Sequence, residues 1–223
     1  MPEVIINGPE GRLECKYMPG ATAEAPTALI LHPEPNKNGT MNNRVTYAMY
    51  RLFQERGFAV MRFNFRGVGR SQGVYDQGDG ELSDAATAMD WLQSQFPASS
   101  SCWIAGFSFG SWIGMQLMMR RPEINGFISV SPPAGTHDFS FLAPCPASGL
   151  IVQGGANEMV PSDRVIALVE KISKQKGVEI EIAEIEGANH FFSSHLDEAI
   201  TAIDQYLEAN LSPKEPEPTL LLG

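Results

Sequence analysis

The chain has 223 residues, 43% of them apolar, enough to bury a substantial core within one globular domain. Asp and Glu number 26 against 16 Lys and Arg, a net charge of −10 that no basic cluster interrupts, so nucleic acid is excluded as a partner for want of an electrostatic footprint. No apolar run approaches the ~20 residues that span a bilayer, so a helical membrane anchor is excluded as well.

In chain order, "EVIING" and "RLECKYM" predict an antiparallel strand pair, and "TALILHP" (Thr27 to Pro33) a central strand buried on both faces. Val45, Met49, Leu52 and Phe53 recur at helical spacing up to Gly57, where a helix would end. The strand "FAVMRFNF" follows, then a helix through Ala85, Met89, Leu92 and Phe96 with Ser83 as its expected N-cap. "CWIAG" predicts a strand running into a helix that stops before Pro122, and "INGFISV" and "GLIVQG" predict two further strands. A helix through Val165, Val169 and Ile172, the strand "VEIEIAEI" and a last helix through Ile200, Ile203 and Leu207 complete the pattern. Alternating strands and helices define an α/β fold, with a mostly parallel sheet of about eight strands and helices on both faces. The segment between "FISV" and "GLIVQG" is too short for a cap domain, so residues 1–211 read as one domain. The Pro- and charge-rich stretch 212–223 reads as a disordered or appended tail.

The start, "MPEVIINGPEGRL", has neither a basic n-region nor a long apolar h-region. Cys15, Cys102 and Cys145 are odd in number and widely separated, the usage of reduced thiols rather than of a disulfide framework. A cytoplasmic location is expected.

The stretch "WIAGFSFGSWIG" places Ser108 where a strand gives way to a helix, with glycines two residues before and after it. A turn that sharp crowds those two positions enough to require Gly106 and Gly110, and it lifts the serine hydroxyl above the sheet edge. Ser108 is therefore the expected nucleophile of a G-x-S-x-G elbow, the alternative being a helix N-cap. A hydroxyl needs a base, and His190 in "GANHFF" follows a strand late in the chain, in the order Ser, acid, His. His195 is the fallback, and His137 reads as a solvated loop residue.

The third group belongs after "GLIVQG", in "GANEMVPSD". Asn157 stands where an aspartate would serve best, able to orient the ring through its amide oxygen but carrying no charge; Glu158, Asp138 and Asp163 are the carboxylates that could act instead. For the oxyanion, one donor is the N–H of Phe109. In His32-Pro33-Glu34-Pro35 the prolines have no N–H, so Glu34 is the candidate for the other, provided that its carboxylate turns toward solvent, His32 or Arg66; the alternative is a rigid Pro-rich turn with no donor role. "RGVGRSQG" spaces its glycines wrongly for a dinucleotide loop and reads as a turn, and His32 with Glu34 lacks a third metal ligand. Phe107, Phe109, Phe191, Phe192 and the aromatics of "DFSFL" read mainly as core, with two or three available to an acyl pocket.

On "LHPEPNKNGTMNNRV", "RFNFRGVGRSQG", "AGFSFG" and "GANHFF" the chain resembles the small, lid-less bacterial members of the α/β-hydrolase superfamily from Met1 to about Leu211. That resemblance implies an eight-stranded sheet, Ser108 and His190 in a triad, Phe109 and Glu34 at the oxyanion hole, and no cofactor. Two positions depart from it: Glu34 where a second histidine is usual, and Gly154-Gly155-Ala156-Asn157 where G-D-x-D is usual. The expected function is hydrolysis of small carboxylic esters, of short acyl chain because no lid covers the site, by a carboxylesterase-like enzyme. The alternatives are the same chemistry on thioesters or peptides, or an impaired hydrolase fold that binds a ligand. The oligomeric state is not legible in the sequence.

Overall fold

The computed structural model describes residues 3–142, 144–173 and 177–211, so the expected tail 212–223 lies outside the described residues. Eight strands form one sheet: β1 (Glu3–Gly8), β2 (Gly11–Met18), β3 (Thr27–Leu31), β4 (Ala59–Phe63), β5 (Cys102–Phe107), β6 (Ile124–Val130), β7 (Ser148–Gly154) and β8 (Ile180–Ile185). Their spatial order is β1-β2-β4-β3-β5-β6-β7-β8. β2 pairs antiparallel with β1 and β4, and every later pair is parallel.

Parallel neighbours need crossovers, supplied by α1 (Arg44–Glu55), α2 (Asp79–Gln95), α3 (Phe109–Met118) and α4 (Ser162–Ile172), with α5 (Leu196–Leu211) closing the chain. Alternation along β3 sorts the core into two layers. Leu29 and Leu31 pack with Leu82, Ile113 and Val165 of α2, α3 and α4. Ala28 and Ile30 pack with Val45, Phe53 and Ile203 of α1 and α5 on the other face. Every residue of β3, β4 and β5 is buried, and their sequences are apolar apart from Thr27 and Arg62.

Strand order reverses at β3, with β4 on one side and β5 on the other. The crevice beyond the carboxyl ends of β3 and β5 is thus the switch point where α/β sheets place their sites. Between β6 and β7 the described residues form only a short 3-10 turn, Ser140–Leu142, and no cap covers that crevice.

Several local boundaries differ from expectation; β3, for one, ends at Leu31 rather than Pro33. α2 begins at Asp79, four residues before the expected cap, because the Glu81 carboxylate accepts the N–H groups of Gly78 and Asp76; Ser83 instead donates its hydroxyl to the Asp79 carbonyl within the helix. β4 ends at Phe63, since Asn64 accepts the Met41 N–H and the Phe65 N–H turns to His32 Nε2. β8 starts at Ile180 rather than Val178.

Candidate active site

The turn from β5 into α3 holds Ser108 at φ 53° and ψ −119°, a backbone region costly for any residue with a side chain. Its N–H donates to the Val130 carbonyl at 2.8 Å, which ties the bend to β6. A Cβ at Gly106 would fall 2.4 Å from the Gly110 carbonyl carbon, and one at Gly110 would fall 2.5 Å from the Leu31 carbonyl oxygen. Both glycines are therefore steric requirements of the elbow, and the second also lets α3 approach the end of β3.

His190 comes from the loop between β8 and α5. Its carbonyl accepts the Ser131 hydroxyl at 3.1 Å, and its ring packs against Phe107 (5.4 Å between centroids) and Phe191 (5.0 Å). Nε2 lies 3.1 Å from Ser108 Oγ. Burial, the larger cause, and the Lys37 ammonium together push the imidazole pKa down to about 4.

The group at Nδ1 is Asn157, whose amide nitrogen stands 3.1 Å from it. Asn157 is 4% exposed, and its Oδ1 accepts the N–H groups of Met159 (3.1 Å) and Val160 (3.0 Å). The expectation that the amide oxygen would accept from the histidine is corrected here, because that oxygen is committed to its own turn. Gly154 allows this meeting, since a Cβ there would lie 2.4 Å from the Ala188 carbonyl oxygen.

The other acids stand elsewhere. Glu158 is exposed and forms no hydrogen bond to His190 among the described residues; the turn that buries Asn157 leaves its neighbour facing outward. Asp138 is exposed and accepts from the N–H and hydroxyl of Ser140, which hold its carboxyl below the usual range. Asp163 is exposed on the first turn of α4.

At the oxyanion side, Phe109 opens α3, so its N–H has no i−4 carbonyl within the helix. The loop after β3 passes beside it, with the His32 carbonyl 2.6 Å from where a Gly110 Cβ would sit. The Glu34 carboxylate turns to Tyr75, whose hydroxyl donates at 3.3 Å, and to Lys37 at 2.9 Å. It does not turn to His32 or Arg66: His32 Nδ1 faces the Pro33 carbonyl at 2.6 Å, and Arg66 is held by Asp84.

His195 precedes α5 and does not contact Ser108; its carbonyl accepts the Ala199 N–H. His137 is half-buried rather than solvated, packed edge-to-face against Trp112 (4.6 Å between centroids) and near Phe109 (6.1 Å). Trp112, Tyr75 and Lys37 join the site without having been expected. Trp112 lies four residues after Ser108, the spacing that shares a helix face, whereas nothing in the sequence near Tyr75 or Lys37 signals proximity. Of the aromatics, Phe192 is fully buried and Phe191 is exposed beside His190. Among the described residues no group of three or more His, Cys, Asp or Glu could hold a metal ion, and no helix is long and apolar enough to cross a membrane. The three cysteines are free and buried.

An eight-stranded sheet without a cap, carrying a serine on a strained strand-to-helix bend against a buried imidazole, defines a serine hydrolase of the α/β-hydrolase fold. Residues 16–209 match the family described as X-Pro dipeptidyl-peptidase (S15 family), and the chain belongs to it. It is 50% identical to the uncharacterized protein RP471 of Rickettsia prowazekii, over 93% of this chain and 89% of that protein. Among solved structures, the alpha/beta hydrolase ATU1826 of Agrobacterium tumefaciens, described as of unknown function and only provisionally assigned, superposes with a TM-score of 0.93 at 56% identity, covering 97% of this chain and all of that one. A Xanthomonas campestris serine hydrolase described as without lid superposes with a TM-score of 0.85 at 31% identity, covering 96% of each chain.

Proposed function

We propose that the protein hydrolyses carboxylic esters of short acyl chain through an acyl-serine intermediate. The observation that carries this reading is the 3.1 Å contact between Ser108 Oγ and His190 Nε2 at an uncapped crevice. Ser108 Oγ attacks the carbonyl carbon as its proton passes to Nε2; the N–H groups of Phe109 and Glu34 receive the oxyanion; the alcohol leaves with the proton from Nε2. Water then enters by the same route, and the acid is released. Asn157 orients the imidazole, a place that Glu158 does not take.

The family's description favours a second substrate, a peptide. Leaving-group chemistry argues against it: an amine departs only once protonated, and an imidazole beside an amide rather than a carboxylate forms its cation poorly. A phenolate or alkoxide makes a smaller demand, so esters fit this site better. Asn157 also favours a third reading, an impaired fold that binds without turnover. Hydrolysis of nitrophenyl esters from acetyl to decanoyl, beside X-Pro nitroanilides, tests all three. Expected are kcat/KM values falling with chain length, slower anilide cleavage, and loss of activity in Ser108→Ala. Rates rising with chain length, faster anilide cleavage or an active Ser108→Ala would contradict the proposal.

A further inference from the structure

The geometry points to a resting histidine in the unproductive tautomer: Asn157 holds His190 with its proton on Nε2, so Ser108 Oγ accepts a hydrogen bond instead of donating one, and the chain turns over far below its capacity. This inference rests on the reading of Ser108 as nucleophile and His190 as base.

The argument follows from which atom of a buried amide must be the oxygen. Two backbone N–H groups, those of Met159 and Val160, point at one terminal atom of Asn157 from 3.1 and 3.0 Å. Only an oxygen accepts them; an NH2 there would leave buried donors facing donors. The other terminal atom is then the NH2, 3.1 Å from His190 Nδ1. A donor facing Nδ1 requires a lone pair on it, and a neutral imidazole has one N–H, which must then be on Nε2. That N–H faces Ser108 Oγ at 3.1 Å.

Attack needs the opposite arrangement, with Nε2 bare. To reach it the ring must carry its proton on Nδ1, where two donors would oppose each other at the same separation. The productive form is thus a minor population, and turnover is scaled by its fraction. An aspartate in the same place would behave differently. One carboxylate oxygen would keep the two N–H groups of the turn, and the other would accept from Nδ1–H and free Nε2 for the serine. Asn157 is a positioning residue, acting on the reaction only through the ring it faces. Of the charged groups on the elements packed around His190, Lys37 is the one whose field reaches the ring, and it opposes the cation too.

The test compares the wild-type chain with Asn157→Asp, using nitrophenyl acetate and a ring-nitrogen NMR spectrum of 15N-histidine-labelled protein. Replacing the acid of a Ser-His-Asp triad by its amide lowers kcat by about ten-thousandfold, so the reverse change is expected to raise kcat by about a hundredfold or more, with KM little altered. The acid limb of the rate profile is expected to move upward from near pH 4, because a carboxylate at Nδ1 favours the imidazolium. A merely structural role would move neither the tautomer nor the limb. In wild-type protein at pH 7 the spectrum is expected to show the His190 proton on Nε2; a proton on Nδ1 overturns the inference, as does an Asn157→Asp variant no faster than wild type. Should neither protein hydrolyse any ester, the ester reading falls, and the NMR spectrum still decides the tautomer.

Discussion

Ser108 stores backbone strain at φ 53°, and the neighbouring glycines make that strain affordable to the fold by removing every clash around it. Gly110→Ala would drive a methyl group into the Leu31 and His32 carbonyl oxygens, atoms of a central strand end that cannot step aside. We expect it to lower unfolding free energy by about 2 kcal/mol or more and to abolish ester turnover. Urea denaturation checks the first, and wild-type stability in that variant would show that the elbow tolerates a side chain. The serine was legible in the sequence because an elbow is a local device, written within five consecutive residues. Asn157 was harder to place against Glu158, since the deciding contacts are the N–H groups of the next turn and a ring supplied 33 residues later. The direction of its amide is a property of three-dimensional contacts alone.

Among the elements, the loop after β4 is fastened to α2 by Arg66 and Asp84. Arg66 donates to the carboxylate from its backbone N–H, Nε and Nη2, at 3.0, 3.0 and 2.8 Å, and Asp84 is fully buried. Removing one partner of such a pair leaves an uncompensated charge, so Asp84→Ala is expected to cost about 3–5 kcal/mol by chemical denaturation. A cost below ~1 kcal/mol, the worth of an exposed pair, would contradict that account. The sequence showed the eight strands and five helices among the described residues well, because short buried apolar runs mark the central strands and helical periodicity marks the segments between them. It misplaced the start of α2, where "GDGE" carries no apolar signal and the capping is done by a carboxylate inside the helix. It misjudged His137 too, since Trp112 meets it from an element far away in the chain.

At the scale of the whole molecule, two neutral imidazoles lie inside the fold: His32, fully buried with its pKa pushed down to about 3, and His190, pushed down to about 4, against an ordinary value of 6.5. Desolvation is the main cause in each. Depressed folded-state values mean that the unfolded chain binds more protons between pH 6.5 and 4. Stability is thus fully present above pH 6.5 and falls as the pH drops toward 4, by about 1.4 kcal/mol per pH unit for each ring. Urea midpoints measured from pH 7 to 4.5 check this, and a flat profile would contradict it. Both rings sit near the carboxyl edge of the sheet, where strand order reverses, and that placement was inferable only from the alternation of strands and helices taken together. All of this converges on one oxygen atom, that of Ser108, whose reactivity the proposed function requires. Intact and peptide mass spectrometry after exposure to a fluorophosphonate reads that reactivity most directly. One adduct is predicted, on Ser108, forming faster in Asn157→Asp and absent from Ser108→Ala. An adduct that persists in Ser108→Ala, or none in either the wild type or Asn157→Asp, would contradict the account.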